Sequence, residues 1–467
     1  MPAFSDGQKI MQNEWSRLIQ SIPANYTVWK DTSTSPATFR AESLLSGGTD
    51  YSDLDLATVI QKAHDTLLNG GCIAVNLIGT EEISKQIEIS KDSIAVKGLG
   101  WQTNLKLKDN VNDDMFYVTG DYFTIADIAL TGNSANQTAG NGIRLNGDLL
   151  GMINNCLIDS FWGNGILEEG AQGVTRILAN RIVSCGVNGI FLSGVNDESF
   201  IMYNDIGGMG YNGILLGSLG NVKIVGNNIF MNGEVGAGGV NLSSSVRCMI
   251  ANNAFIENYN AQVTITSSGA GTDWGKGNMV IGNEFWGLNS AGHKGIAIES
   301  EANRNVIIGN TFNKHDYHIY ETGTADYNVY RNNTFENEVG GDLFAFVGAH
   351  NNYDGLARTA VSADLSGAAT TLITLHAEQS AYLIRATLLY TEASSADAGI
   401  TLEIGKETDR DYYYTGATET NKAAYYTKEV TLLKHDIAVG DTVTFYSPGA
   451  KAGTGEVMLI IDYLTGA

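Results

Sequence analysis

His315, Asp316 and His318 place two imidazoles and a carboxylate side by side within the stretch NVIIGNTFNKHDYHIYETG, Asn305 to Gly323. A histidine near a carboxylate can accept a proton and a carboxyl can return one, which is the equipment of general acid–base catalysis. Glu299 and His293 lie just upstream and Glu321 just downstream. On this reading the catalytic candidates are Glu299, His315 and Asp316. The same residues also fit one polar turn of a repeating scaffold. What surrounds them therefore has to be read first.

The surroundings repeat. Asn155, Asn180, Asn204, Asn227, Asn253, Asn283, Asn310 and Asn333 recur at intervals of 23 to 30 residues, each followed two positions later by Leu, Ile or Phe. A second register follows in Gly165-Ile166, Gly189-Ile190, Gly213-Ile214, Gly239-Val240 and Gly295-Ile296. A unit this short cannot bury its own apolar face, but stacked copies can. The expectation is an all-β, right-handed parallel β-helix in which each repeat is one coil and successive strands lie about 4.8 Å apart. Asn suits the corners because it tolerates left-handed backbone angles and can pair from coil to coil. The eight Asn are expected to form a ladder. In that frame KHDYH is a corner, and by register Glu321 points inward.

The flanks differ in pattern. Leu56, Val59, Ile60, Ala63 and Leu67 form one helical stripe behind Ser52 or Asp53 as N-cap, so a helix over residues 53–69 is expected to cover the open end of the solenoid. Upstream, Met11, Trp15, Leu18 and Ile22 make a heptad-like seam within residues 1–44, read as a segment for attachment or oligomerisation. The solenoid should span 45–350. Residues 359–467 alternate at period two, as in TLITLHA and EVMLIIDYL, and read as a separate C-terminal antiparallel β-sandwich.

Composition narrows the partners. A net charge of −23 over 467 residues argues against nucleic acid and anionic membranes as partners. No stretch has the length of a membrane span. Cys72, Cys156, Cys185 and Cys248 have no metal-type spacing and read as buried thiols, so neither metal nor cofactor is expected. The first residues, MPAFSDGQKIMQNEW, show no basic region followed by an apolar run, so synthesis in the cytoplasm is expected.

The segments TVIQKAHDTLLNGGCIAVN and IEISKDSIAVKGLGWQTNL, with the N-x-hydrophobic coils, resemble the pectate-lyase-like right-handed parallel β-helix superfamily over roughly residues 45 to 345. The appended small sandwich is similar to C-terminal domains of phage tailspikes. The resemblance implies a homotrimer within a virion that binds, and in some members depolymerises, a host surface polysaccharide. The N-terminal segment would then meet a tail or capsid protein. The GHG-type segments of polygalacturonases and the RxPxxR of pectate lyases are missing. A polysaccharide lyase, hydrolase or epimerase unrelated to a virus, and a non-catalytic adhesive solenoid, are the alternatives; for these the location would be extracellular, by another route of export.

Sugar binding calls for exposed aromatic rings, and Trp162, Tyr259 and Trp286 fall on turns or outward positions, as do Phe161 and Trp274. Leu167, Phe191 and Leu215 face outward in successive coils, as do Leu178, Met202 and Val225. Such stripes suit an interface between subunits or a loop folded over them.

Overall fold

The computed structural model describes residues 25–44, 48–147, 150–171, 173–194, 198–267, 275–288 and 290–336, and beyond them strands between Phe344 and Thr465. The seam of Met11, Trp15, Leu18 and Ile22, and Trp274, lie outside the described residues.

The repeats build a right-handed parallel β-solenoid. Its wall consists of three sheets; the second and third have eleven strands each, and the first has fourteen, of which Tyr26–Asp31, Thr38–Ser43 and Tyr51–Asp53 pair antiparallel with one another ahead of the parallel coils. One coil gives Val174–Leu178 to the first sheet, Arg181–Val183 to the second and Ile190–Gly194 to the third. The next coil gives Phe200–Met202, Asp205–Gly207 and Ile214–Gly217, and Ile177, Ile182 and Ile190 pair with Ile201, Ile206 and Ile214. Many strands have three residues because a single inward side chain per strand suffices when like stacks on like. Ile158, Ile182, Ile206, Ile229, Phe255, Phe285 and Phe312 make one such buried column. Its last three rings stack at 4.9 and 4.8 Å between centroids. Burial of each such side chain is worth about 1.5–3 kcal/mol.

The corners are fixed by polar side chains turned inward. Asn204 Oδ1 accepts from Asn180 N and Nδ2 at 2.9 and 3.0 Å, and Asn204 Nδ2 donates to Ile177 O at 2.9 Å. The same bonds link Asn204 to Asn227, Asn227 to Asn253, Asn253 to Asn283 and Asn283 to Asn310. Asn333 is half-buried just before Thr334–Glu336. Asn155 stands outside this line. Ile158, not Leu157, pairs with Ile182, so the partner of Asn180 is Cys156, whose N–H donates to Asn180 Oδ1 at 2.9 Å. Asn155 holds the preceding position, at φ 51°, where other coils put Ala179, Tyr203, Gly226 and Asn252 with the same positive φ. Asn serves either position, which explains the one-residue slip.

Before the main run of coils, helix α1 spans Leu56–Thr66, shorter at both ends than the stripe suggested. Asp55, rather than Ser52 or Asp53, is the N-cap and accepts from Thr58 N at 3.0 Å. The helix buries Leu56, Ala57, Val59, Ile60, Ala63 and His64. The His64 Nε2 accepts from Ser90 N at 3.2 Å, which leaves the proton on Nδ1, 3.0 Å from the Asp65 carboxylate. The C-terminal strands form one five-stranded and one four-stranded sheet, each antiparallel throughout.

Candidate functional site

The KHDYH corner does not face solvent with its histidines. His315 is 0% exposed, and His293 and His318 are buried with it. The His315 ring stacks on His293 at 5.1 Å and meets His318 edge-on at 5.6 Å. Phe312 packs against both His315 and His318, at 6.2 and 5.7 Å. The three imidazoles therefore extend the phenylalanine column into the corner. The His293 Nε2 lies 2.5 Å from Asn258 O, which must accept, so this nitrogen carries the proton. Burial holds the pKa of His293 below the usual value and that of His318 at about 4. Burial and the two neighbouring imidazoles hold His315 well below it. All three are neutral near neutral pH.

His315 is therefore corrected from a catalytic to a core residue, since no polymer can reach its ring. The signal was in the spacing. His315 follows Phe312 by three residues, as Phe161 follows Ile158, Cys185 follows Ile182 and Met209 follows Ile206, and all of these are buried. Phe161, expected on the outside, is corrected by the same rule.

The two carboxylates are not brought together either. Asp316 precedes Tyr317, which pairs with Lys294, whereas Glu299 is the last residue of Lys294–Glu299. About six residues of strand separate the two positions, or roughly 20 Å at 3.3 Å per residue. A glycosidase pair needs about 5–9.5 Å. Asp316 braces its corner instead, with Oδ2 accepting from Gly292 N at 2.6 Å. Glu299 is half-buried at the far end of the third sheet. Glu321 is turned into the core on the line of Ile265 and Ile298. Glu168 does the same between Leu145 and Leu192, an inward carboxylate the sequence reading passed over.

The aromatic candidates remain on the surface. Trp162, Tyr259 and Trp286 are 47%, 42% and 40% exposed. All three lie at the edge where the second sheet turns into the third. Trp286 ends Glu284–Trp286, and its indole N–H donates to Glu284 Oε1 at 2.7 Å, which fixes the ring's orientation. The Gln262 Nε2 ties this coil to the previous one by donating to Trp286 O at 2.7 Å. Tyr259 stands on that previous coil. Trp162 lies four coils before Tyr259, about 19 Å along the axis at the strand spacing.

A second asparagine ladder runs along this same corner and was not read from the sequence. Asp114 Oδ1 accepts from Asn141 N and Nδ2, at 2.8 and 2.7 Å, and Asn141, Asn164, Asn188 and Asn212 follow in the same way. Its trace was the Asn before the earlier Gly-Ile pairs, in Asn141-Gly142-Ile143, Asn164-Gly165-Ile166, Asn188-Gly189-Ile190 and Asn212-Gly213-Ile214. The acidic loop ending in Asp114 is thus a structural end-piece.

The expected interface stripes differ from each other. Leu167, Phe191 and Leu215 align in register on the third sheet, but Leu167 is already buried within the chain and the other two are half-buried. The first sheet carries the longer apolar face. Leu178, Met202, Val225, Ala251, Ile281 and Ile308 stand in register on its outer side, and Met249, Met279 and Val306 beside them.

The family described as periplasmic copper-binding protein (NosD) matches residues 85–289. Among curated proteins none matches the chain in sequence. Solved structures with a similar fold include the A-module of a mannuronan C-5 epimerase from Azotobacter vinelandii, at 17% identity over 64% of this chain and 93% of that one, with a TM-score of 0.48. ORF18 of Geobacillus virus E2 is 14% identical over 81% of this chain and 73% of its own, with a TM-score of 0.48. The enzymatically active domain of tailspike protein 2 of bacteriophage CBA120 is 12% identical over 96% and 85%, with a TM-score of 0.45.

The described residues within the matched stretch do not fit copper. The matched stretch contains no histidine. Among the described residues no group of His, Cys, Asp and Glu could hold a metal ion. The Cys156 and Cys185 thiols are pushed up to about 12 by burial and so stay protonated, whereas a metal ligand must be a thiolate. No helix among the described residues is long and apolar enough to cross a membrane.

Proposed function

We propose that this chain is a tailspike-like β-helix that binds a cell-surface polysaccharide through the corner between its second and third sheets. The observation that carries this reading is Trp286, an exposed indole whose N–H is fixed by Glu284 and which stands one coil from exposed Tyr259. A ring held in one orientation offers an apolar face to a sugar at low entropic cost, while neighbouring polar groups take the hydroxyls. The acid–base set of Glu299, His315 and Asp316 is dispersed by the fold, so the reading is of binding rather than of turnover at that corner.

The supporting parts follow the same pattern. The apolar outer face of the first sheet suits burial against copies of the same chain, side by side in a homotrimer. α1 would close the N-terminal end of the solenoid, the two C-terminal sheets would face each other as a sandwich, and residues 1–44 would attach the assembly to a virion. The deciding experiment is a glycan array probed with the whole chain and with Trp286→Ala. Retention of at least one bacterial surface polysaccharide by the wild type, with affinity for it reduced about tenfold in the variant, is the expected result. Equal retention by both would refute the role of this corner.

A further inference from the structure

The corner between the second and third sheets carries more than the three rings already named. Along it, backbone bonds run from each coil to the one before: Gly186 N to Phe161 O, Gly210 N to Cys185 O, Gly233 N to Met209 O and Tyr259 N to Asn232 O. These bonds put Trp162, Gly186, Gly210, Gly233 and Tyr259 on one line. Glycine is required within it, because a Cβ on Gly186 would collide with the Trp162 carbonyl oxygen, and one on Gly210 with that of Gly186. The close approach of the coils thus strips side chains from the edge between two aromatic residues. Tyr211 stands beside Gly210 and is 44% exposed.

Counted in strands of the second sheet, Trp162 follows Leu157–Asp159, Tyr211 follows Asp205–Gly207 and Tyr259 follows Ala254–Ile256. Each ring is two coils from the next. The rise between them is about 10 Å, twice the strand spacing. The coils between contribute Gly186 with half-buried Val187, and the longer turn Met231–Gly239 with exposed Val235.

Charge narrows the ligand. The corner segments from Ser160 to Gly165, Ser184 to Gly189, Gly208 to Gly213, Met231 to Gly239 and Glu257 to Asn260 contain no Lys or Arg. Glu234 and Glu257 are exposed along this corner. Among the described residues, two cations lie beyond these segments on the same corner: Lys294, whose Nζ donates to Asn260 Oδ1 at 3.2 Å, and exposed Lys314 on the coil after Trp286. A polyuronate or sialylated chain would be repelled.

We infer that this corner is a track for a linear neutral or amino-sugar glycan, lying along the solenoid axis with its rings on Trp162, Tyr211 and Tyr259 at two-coil intervals. In an extended, equatorially linked pyranose chain every second residue presents the same face in the same direction. Such a chain advances by about one strand spacing per sugar. Aromatic rings two coils apart therefore match a disaccharide period, whereas a protein partner has no reason to follow it. The inference rests on the glycan-binding reading above and adds the direction, the period and the charge class of the ligand.

The test uses the whole chain with three oligosaccharide series, neutral, amino-sugar and uronic-acid, from disaccharide to octasaccharide, measured by calorimetry. Affinity is expected to climb in two-sugar steps for a neutral or amino-sugar series. For the octasaccharide, Trp162→Ala, Tyr211→Ala and Tyr259→Ala should each weaken binding about tenfold. All three side chains sit at the surface and none belongs to the buried columns, so the β-sheet circular dichroism at the assay temperature should not change, which separates lost binding from lost fold. If the triple variant binds as tightly as the wild type, the track is overturned while glycan binding stands. Preference for the uronic-acid series overturns the charge assignment and the track with it. No binding to any series by the wild type overturns both readings.

Discussion

The imidazole cluster of His293, His315 and His318 should make the end of the solenoid acid-labile. In the folded chain His318 titrates at about 4, against 6.5 for an ordinary histidine. Below pH 6.5 the unfolded coils take up a proton that the folded ones refuse until about pH 4. Stability is therefore fully present above the unfolded value and is lost as pH falls through that window. The full shift corresponds to about 3 kcal/mol for this residue alone. His293 and His315 are lowered too and act in the same direction, with Asp316 opposing and Lys294 reinforcing at His293. Because solenoid coils can open locally, the effect should appear in these coils before the rest. Hydrogen exchange, corrected for intrinsic rates, reads it directly in Lys294–Glu299 and Tyr317–Glu321. Between about pH 7 and pH 5 the His318 contribution alone should cut protection about 25-fold, while Ile190–Gly194 should change little. The double variant His315→Phe with His318→Leu should abolish most of that difference. Equal pH sensitivity in variant and wild type would refute the assignment of the effect to the buried rings.

Other consequences can be checked separately. Asn227→Ala removes the acceptor of Asn204 N and Nδ2 and the donor to Ile201 O. Urea unfolding should show a loss of about 3 kcal/mol, from several orphaned buried groups. Ile281→Glu places a charge in the apolar face of the first sheet, and light scattering should show the proposed trimer falling to monomer; a monomeric wild type would sink the interface. Cys156 and Cys185, buried and protonated, should resist thiol reagents in the native state and react only on unfolding.

Much of this protein is written in its sequence. The Asn-x-apolar period, the Gly-Ile register and the alternating C-terminal segments specified a stacked parallel solenoid followed by antiparallel strands, because each local pattern has one geometry that buries it. Local pattern failed where a residue type suits two adjacent positions. Asn155 could be a ladder rung or a left-handed turn, and only the pairing of Ile158 with Ile182 assigns it to the turn. Facing was the harder problem. Polar His315 was read as a catalytic candidate, yet a corner closed over Phe312 turns it inward, and coil geometry parts Glu299 from Asp316 by the length of a strand. Conversely, Trp162, Tyr211 and Tyr259 are far apart in the chain and ordinary in composition. They become a set only because coils of unequal length stack at one constant rise, which is a property of the backbone hydrogen bonds between coils and of no single segment.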